Sequence, residues 1–399
     1  TFQFLGLITK NPLRILLKTM YITVVGGGNS TAIFATQAKL AGHEVAILTR
    51  KPEKWSNPVG FENQDPEYLD GVTNFEATVD LITSDAAACI PQADMIFIAG
   101  LPIHFNYEIL HKLAPHIDRQ KRVYIGTVCA YGGFNWIVAD VLGEGNYVIF
   151  GTQQIPWTCG TLEYGKRGVV FGKKASMRVA TEDGKDEHDI KGMLGKILRL
   201  DTIQDADFLF SSLWPNNPLV HPPILYALFK DWDGKKVFQL GSPEAPEYIY
   251  AELNEQAAEN IGKLSDEHVA IVKALSAANP DNEFLKLDYG YMPSLIYAYG
   301  DSIGDTSSIY KAIRSTPAYA KHKNPYVQVE GGVIPNVEHK FFTTDVSYGL
   351  CTYKDIALML DVPTPLMDDI IYWNQKMINK EYLVDGKLTG KDCGECILP

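Results

Sequence analysis

Residues 20 to 34, MYITVVGGGNSTAIF, read as a buried strand that runs straight into three glycines and out into a helix. Tyr21 to Val25 make a short β-branched run suited to a parallel strand covered on both faces. Gly26 allows the tight turn that leaves the strand. Gly28 removes a side chain where a backbone must approach a pyrophosphate, whose charge then rests on the free N–H groups of the following helix. Thr31 stands where a third glycine or alanine usually lets helix and strand pack closely. A helix from about Ser30 to Ala41 and a second strand, Glu44 to Thr49, complete a βαβ unit. The pattern is that of a dinucleotide site, with Gly26, Gly27, Gly28, Asn29 and Ser30 as the cofactor loop.

The end of the second strand chooses between cofactors. An acid there would hold the ribose hydroxyls of NAD, but this chain has Thr49, Arg50 and Lys51, with no acid until Glu53. Arg50 and Lys51 suit a 2′-phosphate, hence NADP. Solvated strand-end cations, or an arginine stacked on adenine, read equally well from these residues.

The α/β pattern continues. Asp94 to Ala99 is a buried strand ending at Gly100-Leu101-Pro102, and Arg122 to Val128 is another, ending at Ala130-Tyr131-Gly132-Gly133. Loops at the carboxyl ends of parallel strands line the ligand crevice, so both turns, Pro102 included, should face the cofactor. Tyr147 to Thr152 is a further strand leading into Gln153. Gly168 to Phe171 and Met177 to Ala180 read as a hairpin around Gly172-Lys173-Lys174. From Pro246 onward the apolar positions Tyr250, Leu253, Ala257, Ile261 and Leu264 recur at three and four, and strand alternation nearly vanishes. The expected fold is therefore α/β, a Rossmann-type doubly wound parallel-sheet domain over residues 20–203 followed by a mostly α-helical substrate domain over residues 204–399.

Composition bounds the function. A net charge of −12 without a dense Lys/Arg cluster argues against nucleic acid. No apolar run approaches the ~20 residues of a membrane span. The 6 irregularly spaced cysteines fit reduced thiols of a cytoplasmic protein, and Cys393-x-x-Cys396 alone is a weak metal or redox signal, so no metal site is expected. Residues 1–19, with Lys10, Arg14, Lys18 and no acid, read as a leader or as upstream sequence ahead of Met20.

One segment of the second half carries chemistry. In Pro218-Leu219-Val220-His221-Pro222-Pro223, the first proline after the histidine biases it to extended geometry and the second opens a helix well. His221 is expected at a helix entrance, near the domain junction, as a catalytic group.

VHPPILYALFKDWDG, VEGGVIPNVEHKFFTTDVSYG and KEYLVDGKLTGKD resemble the invertebrate opine dehydrogenases over about Met20 to Asp392. The resemblance implies that pyruvate and the amino group of an amino acid or amine form an imine, which NADH reduces, regenerating glycolytic NAD without oxygen. It tips the cofactor to NADH, with NADPH left possible, and implies a monomer. His221 matches the family histidine that contacts the keto or imine group, a role suited to an imidazole titrating near neutrality. Asp345 matches an acid that orients it. Lys340 stands where the family usually has arginine; it keeps the positive charge for the pyruvate carboxylate but loses the bidentate fork. Octopine dehydrogenase carries glutamate, facing the guanidinium of arginine, at the position matching Gln153. A neutral amide there disfavours arginine. A pocket lined by Gln153, Trp157 and Cys159 favours taurine or alanine, then glycine or β-alanine, giving products of the tauropine, alanopine or strombine kind.

Two other classes fit parts of the pattern. One is a two-domain reductase of the glycerol-3-phosphate or ketopantoate type, which would want a catalytic lysine in place of His221. The other is a non-catalytic NADH-binding protein.

Overall fold

The computed structural model describes residues 19–182, 187–200, 203–214 and 217–393. Apart from Thr19 the expected leader lies outside them, as does Cys396. The strands in chain order are β1 (Tyr21–Val25), β2 (Glu44–Leu48), β3 (Val59–Asn63), β4 (Asn74–Ala77), β5 (Leu81–Thr83), β6 (Met95–Ile98) and β7 (Val123–Thr127). They continue with β8 (Tyr147–Thr152), β9 (Trp157–Glu163), β10 (Arg167–Lys173), β11 (Met177–Thr181), β12 (Ile203–Ala206), β13 (Tyr326–Val329) and β14 (Gly332–Pro335).

The main sheet has the order β12-β11-β8-β7-β6-β1-β2-β5. Its described pairs are parallel except β11 against β8. The chain goes from β1 outward to β2 and returns to β6 on the other side, so the winding reverses between β1 and β6. Ligands bind in the crevice that such a reversal leaves outside the carboxyl ends of the strands. The strands of this sheet are runs such as Val24, Val25, Ile47, Leu48, Ile96 and Phe97, all essentially without exposure, as a sheet covered on both faces requires.

A second sheet, β4-β3-β10-β9, packs over the helix Asn29–Leu40 that follows the glycine turn. Covered by the main sheet on one side and this one on the other, the helix buries every residue from Ser30 to Ala38, including the polar Ser30, Thr31, Thr36 and Gln37. The second sheet also corrects the expected hairpin. β10 pairs with β9 and β3, whereas β11 joins the main sheet, so Gly172-Lys173-Lys174 is an extended bridge between sheets and not a turn. Lys173 still pairs with Trp157, and the Lys174 N–H donates to the Pro156 carbonyl at 2.9 Å. The edge strand β12 ends the main sheet at Ala206.

The remaining half is built on the helix Glu255–Ala278, capped by Asn254, whose side chain accepts from the Ala257 N–H at 2.8 Å. Against it lies the helix Asn217–Phe229, and β13 and β14 form the small hairpin that strand alternation did not announce. No helix among the described residues is long and apolar enough to cross a membrane.

Candidate active site

A cleft of about 310 Å³ opens at the sheet's reversal point. One wall is made by turns beyond the carboxyl ends of β1, β6, β7 and β8, namely Asn29 and Ser30, Gly100 to Ile103, Thr127 to Cys129, and Gln154. The helical half supplies the other wall, with His221, Tyr250, Tyr299, His322 and Lys340 among its residues.

The glycine loop is shaped by close backbone contact. Gly26 has φ +143°, and a Cβ there would lie 1.9 Å from the Ala99 carbonyl oxygen; at Gly28 it would lie 2.8 Å from that of Gly100. Thr31 does what a third small residue would not. Its hydroxyl donates to the Ala99 carbonyl at 2.6 Å, tying the helix to the end of β6. Gly28 caps the helix with no side chain of its own, so a pyrophosphate can approach the helix N-terminus closely. Asn29 folds back to accept from the Ser30 N–H at 3.0 Å and donates to the Cys159 sulfur at 3.3 Å. Pro102 lines the cleft. Arg50 does not: it is exposed beyond β2, its guanidinium carbon 5.4 Å from the Phe105 ring centre.

His221 stands inside a helix, not at its entrance. The helix begins at Asn217, so Pro222 and Pro223 fall within it and free the carbonyls of Pro218 and Leu219. The pre-proline bias was overridden by burial, since Pro218 to Leu225 are all buried. The ring Nδ1–H of His221 donates to Asp345 Oδ2 at 2.7 Å, and Nε2 accepts from the Tyr250 hydroxyl at 2.6 Å. The other Asp345 oxygen accepts from Tyr131 at 3.2 Å, and the imidazole stacks on Phe341 with centroids 3.5 Å apart. Asp345 opens a single π-helical turn, Asp345–Leu350. Gly349 in that turn lets it touch the histidine's helix, because a Cβ would meet Pro218 Cγ at 2.2 Å. Burial holds the His221 pKa below 6.5, while Asp345 pulls it back up. The hydrogen bonds make Nε2 the basic nitrogen, its lone pair held by the Tyr250 hydroxyl, and both residues line the cleft.

Lys340 and Cys159 line the same cleft, as does Trp157, whose indole N–H is spent on the Tyr68 hydroxyl at 3.0 Å. Lys340 begins the short helix Lys340–Thr344, just ahead of Asp345. Gln153 does not line the cleft. Its side chain is wholly buried and its N–H donates to the Arg178 carbonyl at 3.0 Å. The two glutamines lie in the bend beyond β8, and it is Gln154 that lines the cleft.

Sequence reasoning missed Tyr131, Tyr250, Phe341 and Lys174. Tyr131 sits in a turn already marked as facing the cofactor, while Tyr250 was taken only as an apolar helical position. Lys174, read as a turn residue, is half-buried in the cleft beside Tyr299, which its Nζ meets both at the hydroxyl and, 3.8 Å from the centroid, over the ring. Burial pushes its pKa down to about 7.

The NAD/NADP octopine/nopaline dehydrogenase alpha-helical domain model matches residues 204–378, and the NAD-dependent glycerol-3-phosphate dehydrogenase N-terminus model matches residues 21–132. The chain is 29% identical over 393 residues to octopine dehydrogenase of Mizuhopecten yessoensis, covering 94% of each chain. It is 28% identical to tauropine dehydrogenase of Arabella iricolor, over 93% of this chain and 94% of that one. The solved structure of octopine dehydrogenase with NADH and agmatine superposes with a TM-score of 0.79 at 26% identity, over 95% of this chain and 94% of that one.

Proposed function

The chain belongs to the opine dehydrogenase family, NAD-dependent oxidoreductases that act on CH–NH donors, and from that premise we propose that it condenses pyruvate with the amino group of a small neutral amino acid or amine and reduces the product. Bound NADH supplies the hydride. The observation that carries the reading is the His221–Asp345 pair, buried and hydrogen-bonded at 2.7 Å, on the helical wall of a cleft whose other wall is the glycine-loop crevice.

As the substrate displaces the Tyr250 hydroxyl, His221 Nε2 takes a proton from the substrate ammonium, and the freed amine attacks the keto carbon of pyruvate. After proton transfer from nitrogen to oxygen, the imidazolium returns its proton to the carbinolamine hydroxyl, which leaves as water. A protonated imine remains, and it gains a hydride at carbon to become a secondary amine. Asp345 stabilises the imidazolium between the two transfers, as a buried carboxylate on Nδ1 does. Lys340 binds the pyruvate carboxylate as a point charge.

The cleft's described lining holds Lys340 and Lys174 and neither aspartate nor glutamate. A guanidinium would find no counter-charge there, whereas taurine, alanine, glycine or β-alanine bring an acid group, and taurine and alanine are favoured. One screen tests the reading: NADH oxidation with pyruvate and each of these amines, and with arginine. Turnover that needs pyruvate and an acidic amine together is expected. Turnover with pyruvate alone, or none with any pair, would refute it.

A further inference from the structure

The opine produced by the proposed reaction is a double anion, one charge from pyruvate and one from the acid group of the amine. Lys340, beside His221's partner Asp345, serves the first. The second charge needs a second cation in the cleft. Lys174 is carried there by the bridge between the sheets, whose backbone is pinned on one side to the Pro156 carbonyl and on the other, through the Ala175 N–H, to the Ala298 carbonyl at 2.8 Å. Tyr299 is fixed in turn by a hydroxyl contact with Thr158 at 2.6 Å, so the ammonium sits on a rigid support.

Burying an ammonium without a counter-ion is costly, and such groups are paired or neutral. No carboxylate among the described residues pairs with Lys174. The groups that face it are the Tyr299 hydroxyl and the thiols of Cys129 and Cys159, which burial raises to about 12 and about 11, so both are uncharged near neutrality. Lys340, which acts on the same thiols, is a like charge.

We infer that Lys174 anchors the carboxylate or sulfonate of the amine co-substrate and thereby selects amines that carry an acid group. This inference rests on the opine reading and adds the residue that sets its second substrate. The incoming anion restores the lysine's charge, so binding takes up a proton wherever the free lysine is neutral. The anchoring is fully available below pH 7 and is lost at higher pH, about tenfold in amine KM for each unit above it.

The test varies taurine, alanine and n-propylamine, which lacks the acid, against pyruvate and NADH in wild type, Lys174→Met and Lys174→Arg. In Lys174→Met the KM for taurine or alanine is expected to rise at least about thirtyfold, the scale for losing one partner of a buried charge pair. The KM for pyruvate and the NADH affinity should stay within about threefold, the preference over n-propylamine should vanish, and Lys174→Arg should recover part of it. An unchanged amine KM, or a fall in kcat with KM kept, as a general base would give, overturns the inference. If wild type turns over no amine, the opine reading fails. Calorimetric titration of ethanesulfonate into the enzyme–NADH complex at pH 8 then decides separately on Lys174: proton-coupled binding lost in Lys174→Met supports the anchor, and equal binding by both overturns it. Should Lys174→Met not fold, Lys174→Arg and the wild-type rise of amine KM above pH 7 carry the test, and a flat profile counts against the anchor.

Discussion

Replacing Asp345 with asparagine removes one negative charge and almost no volume from behind His221. Asp345 and His221 are 1% and 3% exposed, so solvent does not screen the pair. A hydrogen bond to a charged group contributes about 1.5–3 kcal/mol, which is roughly tenfold to 150-fold in an equilibrium constant or rate. That stabilisation acts only on the imidazolium, because the neutral ring can still donate Nδ1–H to an amide oxygen. Burial lowers the His221 pKa and Asp345 raises it, so in Asp345→Asn the imidazole becomes a weaker base. Turnover at pH 7 should fall between tenfold and a hundredfold, and the acidic limb of the kcat/KM profile should move to lower pH. NADH affinity, read from cofactor fluorescence, should not change. The fold should survive, since a neutral group in place of a buried charge is often tolerated. Wild-type turnover with an unmoved pH profile would refute the reasoning, and loss of NADH binding in step with activity would make the pair structural.

Thr31→Ala should cost about 1–2 kcal/mol of stability, because it leaves the buried Ala99 carbonyl without its 2.6 Å donor; equilibrium urea unfolding measures it, and an unchanged midpoint would contradict the tie between helix and β6. Gln154→Glu places a carboxylate in the cleft and should create arginine-dependent NADH oxidation, whereas Gln153→Glu buries a charge behind it and should only destabilise; the opposite outcome in the substrate screen would return Gln153 to the pocket. His268 is fully buried, its Nε2–H donating to the Leu213 carbonyl at 2.6 Å, and burial pushes its pKa down to about 4. The unfolded chain protonates this side chain near pH 6.5 and the folded chain does not until about pH 4, so stability is full above 6.5 and falls as pH drops through that window, by of order 3 kcal/mol from this residue. Unfolding midpoints from pH 7 to pH 4 check the slope, and a flat profile would contradict it.

The features legible in the sequence were those fixed by local stereochemistry. The glycine turn, β1, β2, β6, β7 and β8 all follow from β-branched runs punctuated by glycine, and they fall within a residue or so of where the pattern puts them. The histidine's helix was not legible at its start, because proline chemistry argues for an entrance and tertiary burial overrode it. The β10–β11 hairpin failed for a related reason. Two extended runs around a glycine look alike whether the chain turns back or steps to another sheet, and only the partners β9 and β8 decide. Gln153 and Gln154 are the narrowest case: the chain bends there beyond β8, and a matched motif does not say which of two like residues lines the cleft.

The charge pattern of the cleft runs against that of the chain. A molecule of net charge −12 repels anions on average, yet its described cleft lining carries Lys174, Lys340 and His221 and no acid. Low-dielectric walls lined by one sign of charge focus the local field, so the site attracts anions that the surface as a whole would turn away. Each cation is placed for a different reason. Lys340 is exposed at the start of a short helix, which suits capture of pyruvate without rigid orientation. Lys174 is half-buried and, with its pKa pushed down to about 7, only partly charged at neutral pH, which suits a group that becomes fully charged when an anion arrives. A keto acid alone supplies one anion and leaves Lys174 uncompensated. Only a partner that brings both an amine and a second acid group satisfies the two lysines at once, which makes the selection of the co-substrate an electrostatic property of the cleft and not a matter of its size.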